Sequence, residues 1–133
     1  MGENATIARR WFAEAWAPDG EPLLDRWLAP DVVGVMESGD VNGPAAFKEM
    51  RRQMLHAFPD LRLTVDDLLE QGDNVVVRWT AQGTHQGDGL GMPPSQRAIS
   101  IRGMTWMTFR DGQIVRGWDT WNLGGMLNHL TAP

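Results

Sequence analysis

One acid in this chain stands where acids are rarely placed. Asp119 lies between two tryptophans in Trp118-Asp119-Thr120-Trp121, near the end of a stretch, Gln113 to Trp121, that reads as the last β-strand. Neighbours that apolar mark a covered strand. An ionised carboxylate under cover is costly unless a partner or a raised pKa relieves it. A carboxyl group so placed is suited to exchanging a proton with a guest in an apolar pocket. Most of the other acids sit at turns or on helix faces, as Asp73 and Asp111 do beside glycines and Glu14 and Glu49 in helical stretches. The alternative for Asp119 is a structural ion pair with Arg78, Arg102 or Arg116, which also fall inside strands.

The remaining proton carriers are few. His85 sits where a strand gives way to a Gly- and Pro-rich loop, at the expected mouth of a pocket, and is a candidate proton shuttle or substrate donor; the alternative is a loop histidine engaged in turn hydrogen bonds. His56 precedes Phe58-Pro59 and reads as structural, and His129 lies near the end of the chain. These histidines share no metal-binding spacing, so a metal site is not expected. Cysteine is absent, which excludes disulfides and thiol nucleophiles, and tyrosine is absent too. The indole of Trp79 or Trp106, or the amide of Asn122, is left as an N–H donor. Gly87, Gly89 and Gly91 form no phosphate loop, because no lysine follows and no strand–helix setting surrounds them. Residues 85–95 read as a flap over the cavity or as an ordinary hairpin connection.

The elements that position these groups follow from periodicity. Ile7, Ala8, Trp11, Phe12, Ala15 and Trp16 recur at helical spacing over residues 4–17, with Asn4 as cap and Pro18 as stop. A short helix spans Leu23 to Leu28 and a valine-rich strand Asp31 to Met36. Asn42-Gly43-Pro44 opens a third helix that carries Phe47, Met50, Met54, Leu55 and Phe58 on one side. Long strands follow at Leu61 to Glu70, Asn74 to Thr84, Arg97 to Phe109 and Gln113 to Trp121, and a short helix or turn covers Asn122 to Leu130. Helices first and antiparallel strands after is an α+β pattern, here a curved sheet wrapped around three N-terminal helices with an internal pocket.

For the final hairpin, a two-residue turn at Asp111-Gly112 would set Asp119 opposite Met104. A three-residue turn with a glycine bulge would set it opposite Gly103, on the same face as Thr105 and Met107. The second is preferred, with Gly103, Thr105, Val115, Gly117 and Trp121 on the pocket face.

The 133 residues fit a single domain, 1–133, and 42% apolar content is that of a folded globular chain. The net charge of −5 and the absence of any basic stripe argue against nucleic acid. No apolar run reaches membrane-spanning length. Met1 to Asn4 has no basic stretch leading into an apolar one, so a cytoplasmic setting is expected. Met1-Gly2 with Thr6 looks like the start of a myristoylation signal, but the helix beginning there is needed for the core.

From Phe58 onward several motifs occur in succession: Phe58-Pro59-Asp60-Leu61, Gly83-Thr84-His85-Gln86-Gly87, Gly91-Met92-Pro93-Pro94, Arg110-Asp111-Gly112-Gln113-Ile114-Val115, and the tryptophan–acid strand leading into Leu123-Gly124-Gly125-Met126-Leu127. In this order they resemble the SnoaL-like polyketide cyclase (ester cyclase) family of the NTF2-like superfamily. The resemblance implies a cone-shaped NTF2-like fold and a ring-closing aldol reaction without metal or cofactor. It also implies that an aspartate on the last strand is the acid/base, helped by a histidine on the strand before. Asp119 falls at the aspartate position and Thr105 at that of the histidine, a departure, since a hydroxyl bonds but does not carry imidazole chemistry.

The expected site therefore has Asp119 as acid/base with Thr105 and His85 orienting a small hydrophobic carbonyl substrate. Trp121, Trp106, Met107, Trp79, Phe58, Met54, Met92 and Trp16 form the walls, and the assembly is expected to be a homodimer or homotetramer. Two other outcomes stand beside this one: a non-catalytic protein holding an apolar ligand, and an epoxide hydrolase on the same scaffold. The latter resembles limonene epoxide hydrolase, whose Arg-x-Asp element is missing from Arg78-Trp79-Thr80 and Arg102-Gly103-Met104. An exposed sheet face used only for dimerisation is a further alternative.

Overall fold

The computed structural model describes residues 2–133; Met1 lies outside them. The chain runs α1 (Glu3–Arg10), continued by a π-helical turn (Trp11–Ala15), then α2 (Glu21–Trp27), β1 (Leu28–Met36), β2 (Gly39–Asn42), α3 (Gly43–Ala57), β3 (Arg62–Gln71), β4 (Asn74–Thr84), β5 (Ala98–Arg110), β6 (Gln113–Trp121) and α4 (Leu123–Thr131). One sheet in the order β2-β1-β6-β5-β4-β3 curves around the helices without closing. This is the expected α+β cone, with two differences. The pairing of β1 with β6 is parallel, and β2, four residues that break no period, adds an edge strand where only the opening of α3 is apparent in the sequence.

The π-helical turn matters to the interior. It adds a residue to the turn, so that Trp11 and Phe12 are both buried and Trp16 is brought to the same wall. Its free end is held from α3. The buried Arg51 guanidinium donates from Nε to the Ala15 carbonyl at 2.8 Å, to the Ala17 carbonyl, and more weakly to that of Pro18 at 3.4 Å. No carboxylate touches it, and burial pulls its pKa down.

The β5–β6 hairpin departs from both expected registers. Asp111 and Gly112 have φ values of 53° and 76°, a two-residue turn whose twist suits the strands. Arg110 faces Gln113 and Phe109 faces Ile114, but Val115 is then an extra residue on β6, and Thr108 faces Arg116. The bulge lies in the strand rather than at the turn, so Asp119 stands directly opposite Thr105. Ile114, not Val115, lines the interior.

The two faces of the sheet differ. The inner one carries the core, including Val75, Val77, Trp79, Met107 and Phe109. On the outer one, successive pairings set Leu69, Val76, Trp106, Trp118 and Val35 in a single row across five strands. Trp106 is 55% and Trp118 53% exposed in that row.

The Arg51 arrangement yields a prediction. Arg51→Met strands buried carbonyls at the end of the π-helical turn and lowers stability by about 2–3 kcal/mol. Arg52→Met, which removes only a surface pair with Glu21, costs less than about 1 kcal/mol. Urea unfolding of both variants measures the difference; equal effects would mean that Arg51 does not hold the turn.

Candidate active site

The curved sheet and the helices enclose a cavity of about 240 Å³. Trp11, Phe12 and Trp16 wall it from the first helical segment, Phe47, Met50 and Met54 from α3, and Leu123 and Met126 from α4. From the sheet come Gly34 and Met36 of β1, Trp79 of β4, Thr105 and Met107 of β5, and Gly117, Asp119 and Trp121 of β6. Asp119 is the one ionisable side chain among the lining residues.

Its setting is built across three strands. Trp79, Gly103 and Trp121 oppose one another in register on β4, β5 and β6. Because Gly103 has no side chain, the Trp79 ring lies over it; a Cβ there would run into the indole. The indole thereby reaches Thr105, and its Nε1–H donates to Thr105 Oγ1 at 2.9 Å. That hydroxyl, 7% exposed with its residue, donates in turn to Asp119 Oδ1 at 2.5 Å. With one lone pair of Thr105 occupied by the indole, its proton is directed at the carboxyl group. Asp119 Oδ1 is thereby engaged and Oδ2 is the oxygen with no side-chain partner.

Burial pushes the Asp119 carboxyl above its ordinary value of 3.8, and the Thr105 hydrogen bond pulls it part of the way back. The alternative of an ion pair is not what forms. Arg78 pairs with Asp67 at 3.1 Å, and Arg102 and Arg116 lie on the outer face, where the even-numbered residues of β5, and those of β6 beyond the bulge, point. Asp119 thus has a hydroxyl for company and no cation.

The structure gathers Asp119, Thr105, Trp121, Met107, Trp79, Met54 and Trp16 around one space. It does not bring the other expected residues there. His85 is fully buried behind the wall: its Nδ1 accepts the Ser95 backbone N–H at 3.0 Å, its ring packs on Phe58 at 5.7 Å, and Nε2 has no partner. It closes the base of the loop instead of meeting a substrate. Phe58 is buried in a second cluster with Ile99, Met126 and Leu130, and Met92 packs against that cluster rather than the cavity. Trp106 points outward because β5 alternates, and its N–H goes to Asn74 Oδ1 at 3.0 Å. Asn122 caps α4 by accepting the Gly125 N–H at 2.8 Å. His129 bonds the Ala98 carbonyl at 2.9 Å.

The loop 85–95 is fastened down. Gln86 and Gly87 donate to the Ala57 carbonyl at the end of α3, and Asp88 meets His56 Nε2 at 2.6 Å. Gly87 and Gly89 lie too close to the His56 and Gln53 carbonyls for any Cβ. Leu90 alone extends from this loop to the cavity. Several wall residues escaped the sequence reading, among them Trp11, Phe12, Gly34, Met36 and Leu123. The helical stripe of Trp11 and Phe12 signalled burial, but a buried stripe does not distinguish core from cavity.

The sequence model of the SnoaL-like polyketide cyclases matches residues 6–130. The chain belongs to that family. Among solved structures, a protein from Jannaschia sp. CCS1 assigned as a SnoaL-like polyketide cyclase superposes with a TM-score of 0.92 at 25% identity, over 98% of this chain and 93% of that one. TsrD from Streptomyces laurentii gives 0.84 at 28% identity, over 98% and 96%. AclR from Streptomyces galilaeus, assigned as a hydroxylase, gives 0.81 at 29% identity, over 96% and 80%. No curated protein matches the chain. These likenesses establish an NTF2-like fold and a cyclase-type family. Among the described residues no group of three His, Cys, Asp or Glu side chains is arranged to hold a metal, and no helix is long and apolar enough to cross a membrane.

The Asp119 setting predicts two titration results. Thr105→Val removes the hydroxyl that lowers the Asp119 pKa, so the carboxyl titrates at higher pH in that variant, read by carbon-13 NMR of the side chain. The folded state also binds a proton that the unfolded chain releases, so stability falls as pH rises from about 3.8 to the folded midpoint. Asp119→Asn abolishes that part of the slope; an unchanged slope would show that Asp119 is not held protonated by the fold.

Proposed function

We propose that this protein is a cofactor-independent cyclase or isomerase of secondary metabolism, acting in the cytoplasm on a hydrophobic, polyketide-like carbonyl compound by aldol-type ring closure. Asp119 is the acid/base, and the observation that carries the reading is its standing as the lone ionisable group in an apolar cavity. In such a closure a proton leaves the carbon beside one carbonyl, that carbon bonds to a second carbonyl carbon, and a proton ends on the new hydroxyl oxygen. One carboxyl group serves both transfers, since the product is an isomer of the substrate and the group returns to its starting state. Thr105 holds Asp119 Oδ1 and leaves Oδ2 to the substrate. Trp79 and Gly103 act through Thr105 and are positioning residues.

The cavity exceeds the roughly 150 Å³ that suffices for benzene in an engineered apolar site, so it has room for a guest of more than one ring. His85, outside the walls, is not part of the proposed chemistry. Two-acid epoxide hydrolysis finds no second carboxylate among the lining residues. The non-catalytic alternative rests on the same fact that makes the site unusual: Thr105 supplies no second proton carrier.

Asp119→Asn is expected to lower turnover of a poly-β-carbonyl substrate by about 100- to 10,000-fold without loss of fold. Thr105→Val is expected to shift the pH profile upward, and Thr105→Ser to restore it. Full activity in Asp119→Asn would end the assignment.

A separate observation supports self-association. Among the described residues, the large apolar side chains left exposed, Leu69, Met104, Trp106 and Trp118, all lie on the outer sheet face. The row through Trp106 and Trp118 runs across the sheet with Asp67 and Arg78 beside it, so a second copy turned about a two-fold axis meets apolar surface with apolar surface and opposite charges at the rim. We propose a homodimer through this face. Light scattering should give twice the chain mass, and Trp106→Glu the chain mass; a wild-type monomer at high concentration would exclude it.

A further inference from the structure

A glycine inside a strand needs a reason, because it loses more conformational freedom on folding than other residues and packs no side chain in return. Most glycines of this chain have one. Gly39, Gly72 and Gly91 stand in open space, but their φ values of 123°, 58° and 76° are ones that other residues rarely adopt. Gly103 lies under the Trp79 ring, and a Cβ on Gly34 would stand 2.6 Å from Phe47 Cζ. Gly117 has neither reason. Its φ is not positive, and it pairs in register with Met107 of β5 and Gly34 of β1. Beyond its chain neighbours, no atom lies within 4 Å of the place its Cβ would take. Among the described residues it is the one glycine that combines an ordinary φ with open space. That space is the cavity, which Gly117 lines together with Asp119. The two are alternate residues on the inner face of β6, about 7 Å apart along the strand. A side chain at 117 would relieve the cost of the glycine and cover apolar wall, yet none is there.

We infer that Gly117 is a specificity-determining residue: the bare backbone of β6 there receives the part of the guest that lies beyond the carbonyl held at Asp119. The inference deepens the proposed function and rests on its reading of Asp119 Oδ2 as the oxygen that meets the guest. A carbonyl at Oδ2 sits beside the inner face of β6. With Gly117 bare, a ring system attached to that carbonyl continues along the strand, flanked by Met107 and Gly34, which line the same cavity. A branched side chain at 117 would close that path beside the acid. Asp119 decides what can react, and Gly117 decides how long a guest can be while it does so.

The test titrates two ketones, acetophenone and 2-acetylnaphthalene, into the wild type, Gly117→Ala and Gly117→Val, by quenching of tryptophan fluorescence. Gly117→Val is expected to bind acetophenone within about twofold of the wild type and 2-acetylnaphthalene about tenfold more weakly, with Gly117→Ala between. The Tm of both variants is expected to equal or exceed that of the wild type, whereas Gly34→Ala, crowded by Phe47, lowers it. Equal weakening of the two ketones in Gly117→Val, or 2-acetylnaphthalene binding unchanged in that variant or absent from the wild type, would overturn the inference. So would a loss of Tm in Gly117→Ala as large as that in Gly34→Ala, since Gly117 would then be a requirement of the sheet. The expected binding pattern without turnover of any carbonyl substrate would uphold the role of Gly117 and end the cyclase reading. Turnover that depends on Asp119, with ketone binding unaltered in Gly117→Val, would do the reverse.

Discussion

The interior is organised by a hydrogen-bonded chain that crosses three strands, from the Trp79 indole through the Thr105 hydroxyl to the Asp119 carboxyl. Each member constrains the next. The indole N–H occupies one side of the threonine oxygen, so the threonine proton faces the acid, and a buried acid is tolerated because a donor meets it. Gly103 is the condition for all three, since a side chain there would displace the indole. The bulge at Val115 is the other condition, because it sets Asp119 opposite Thr105 rather than one residue away.

Around that chain the helices serve as a lid whose position is set by buried polar contacts. Arg51 ties the π-helical turn to α3, and the loop 85–95 ties the other end of α3 to the sheet through Gln86, Gly87 and the His56–Asp88 pair. A buried guanidinium bonded only to carbonyls is a demanding choice, because removing it leaves several acceptors unsatisfied. It also fixes the turn that brings Trp11 and Trp16 to the cavity wall. His85 belongs to this scaffolding, holding the two ends of its loop through Ser95 rather than reaching a substrate.

Family membership and geometry together define what is distinctive about the site. Where the family resemblance implies a histidine, this chain has a hydroxyl that is already spoken for. A hydroxyl positions a carboxyl group and tunes its pKa, but it does not relay protons as an imidazole does. Among the residues lining the cavity, proton chemistry therefore falls to Asp119 alone, with burial and the Thr105 hydroxyl setting its electrostatic environment.

Much of the fold was legible in the residues themselves. Periodicity located the helices and the long strands, Asp111-Gly112 the hairpin, and the order of motifs the family, because each depends on local spacing and turn chemistry. Asp119 also announced itself, since an acid between tryptophans conflicts with its surroundings. Register was not legible: a bulge of one residue at Val115 moves every later pairing, and nothing local marks it. Nor was the fate of equivalent residue types. Trp79 and Trp106 look alike in sequence, yet one faces the cavity and the other solvent, because strand alternation and the curve of the sheet decide which side is enclosed. His85 and Asp119 were both candidates for proton transfer, and only the packing of distant segments left one in the cavity and put the other behind its wall. The sequence by itself determined which groups were able to do chemistry; the tertiary structure decided which of them share a space, because that depends on contacts between residues far apart along the chain.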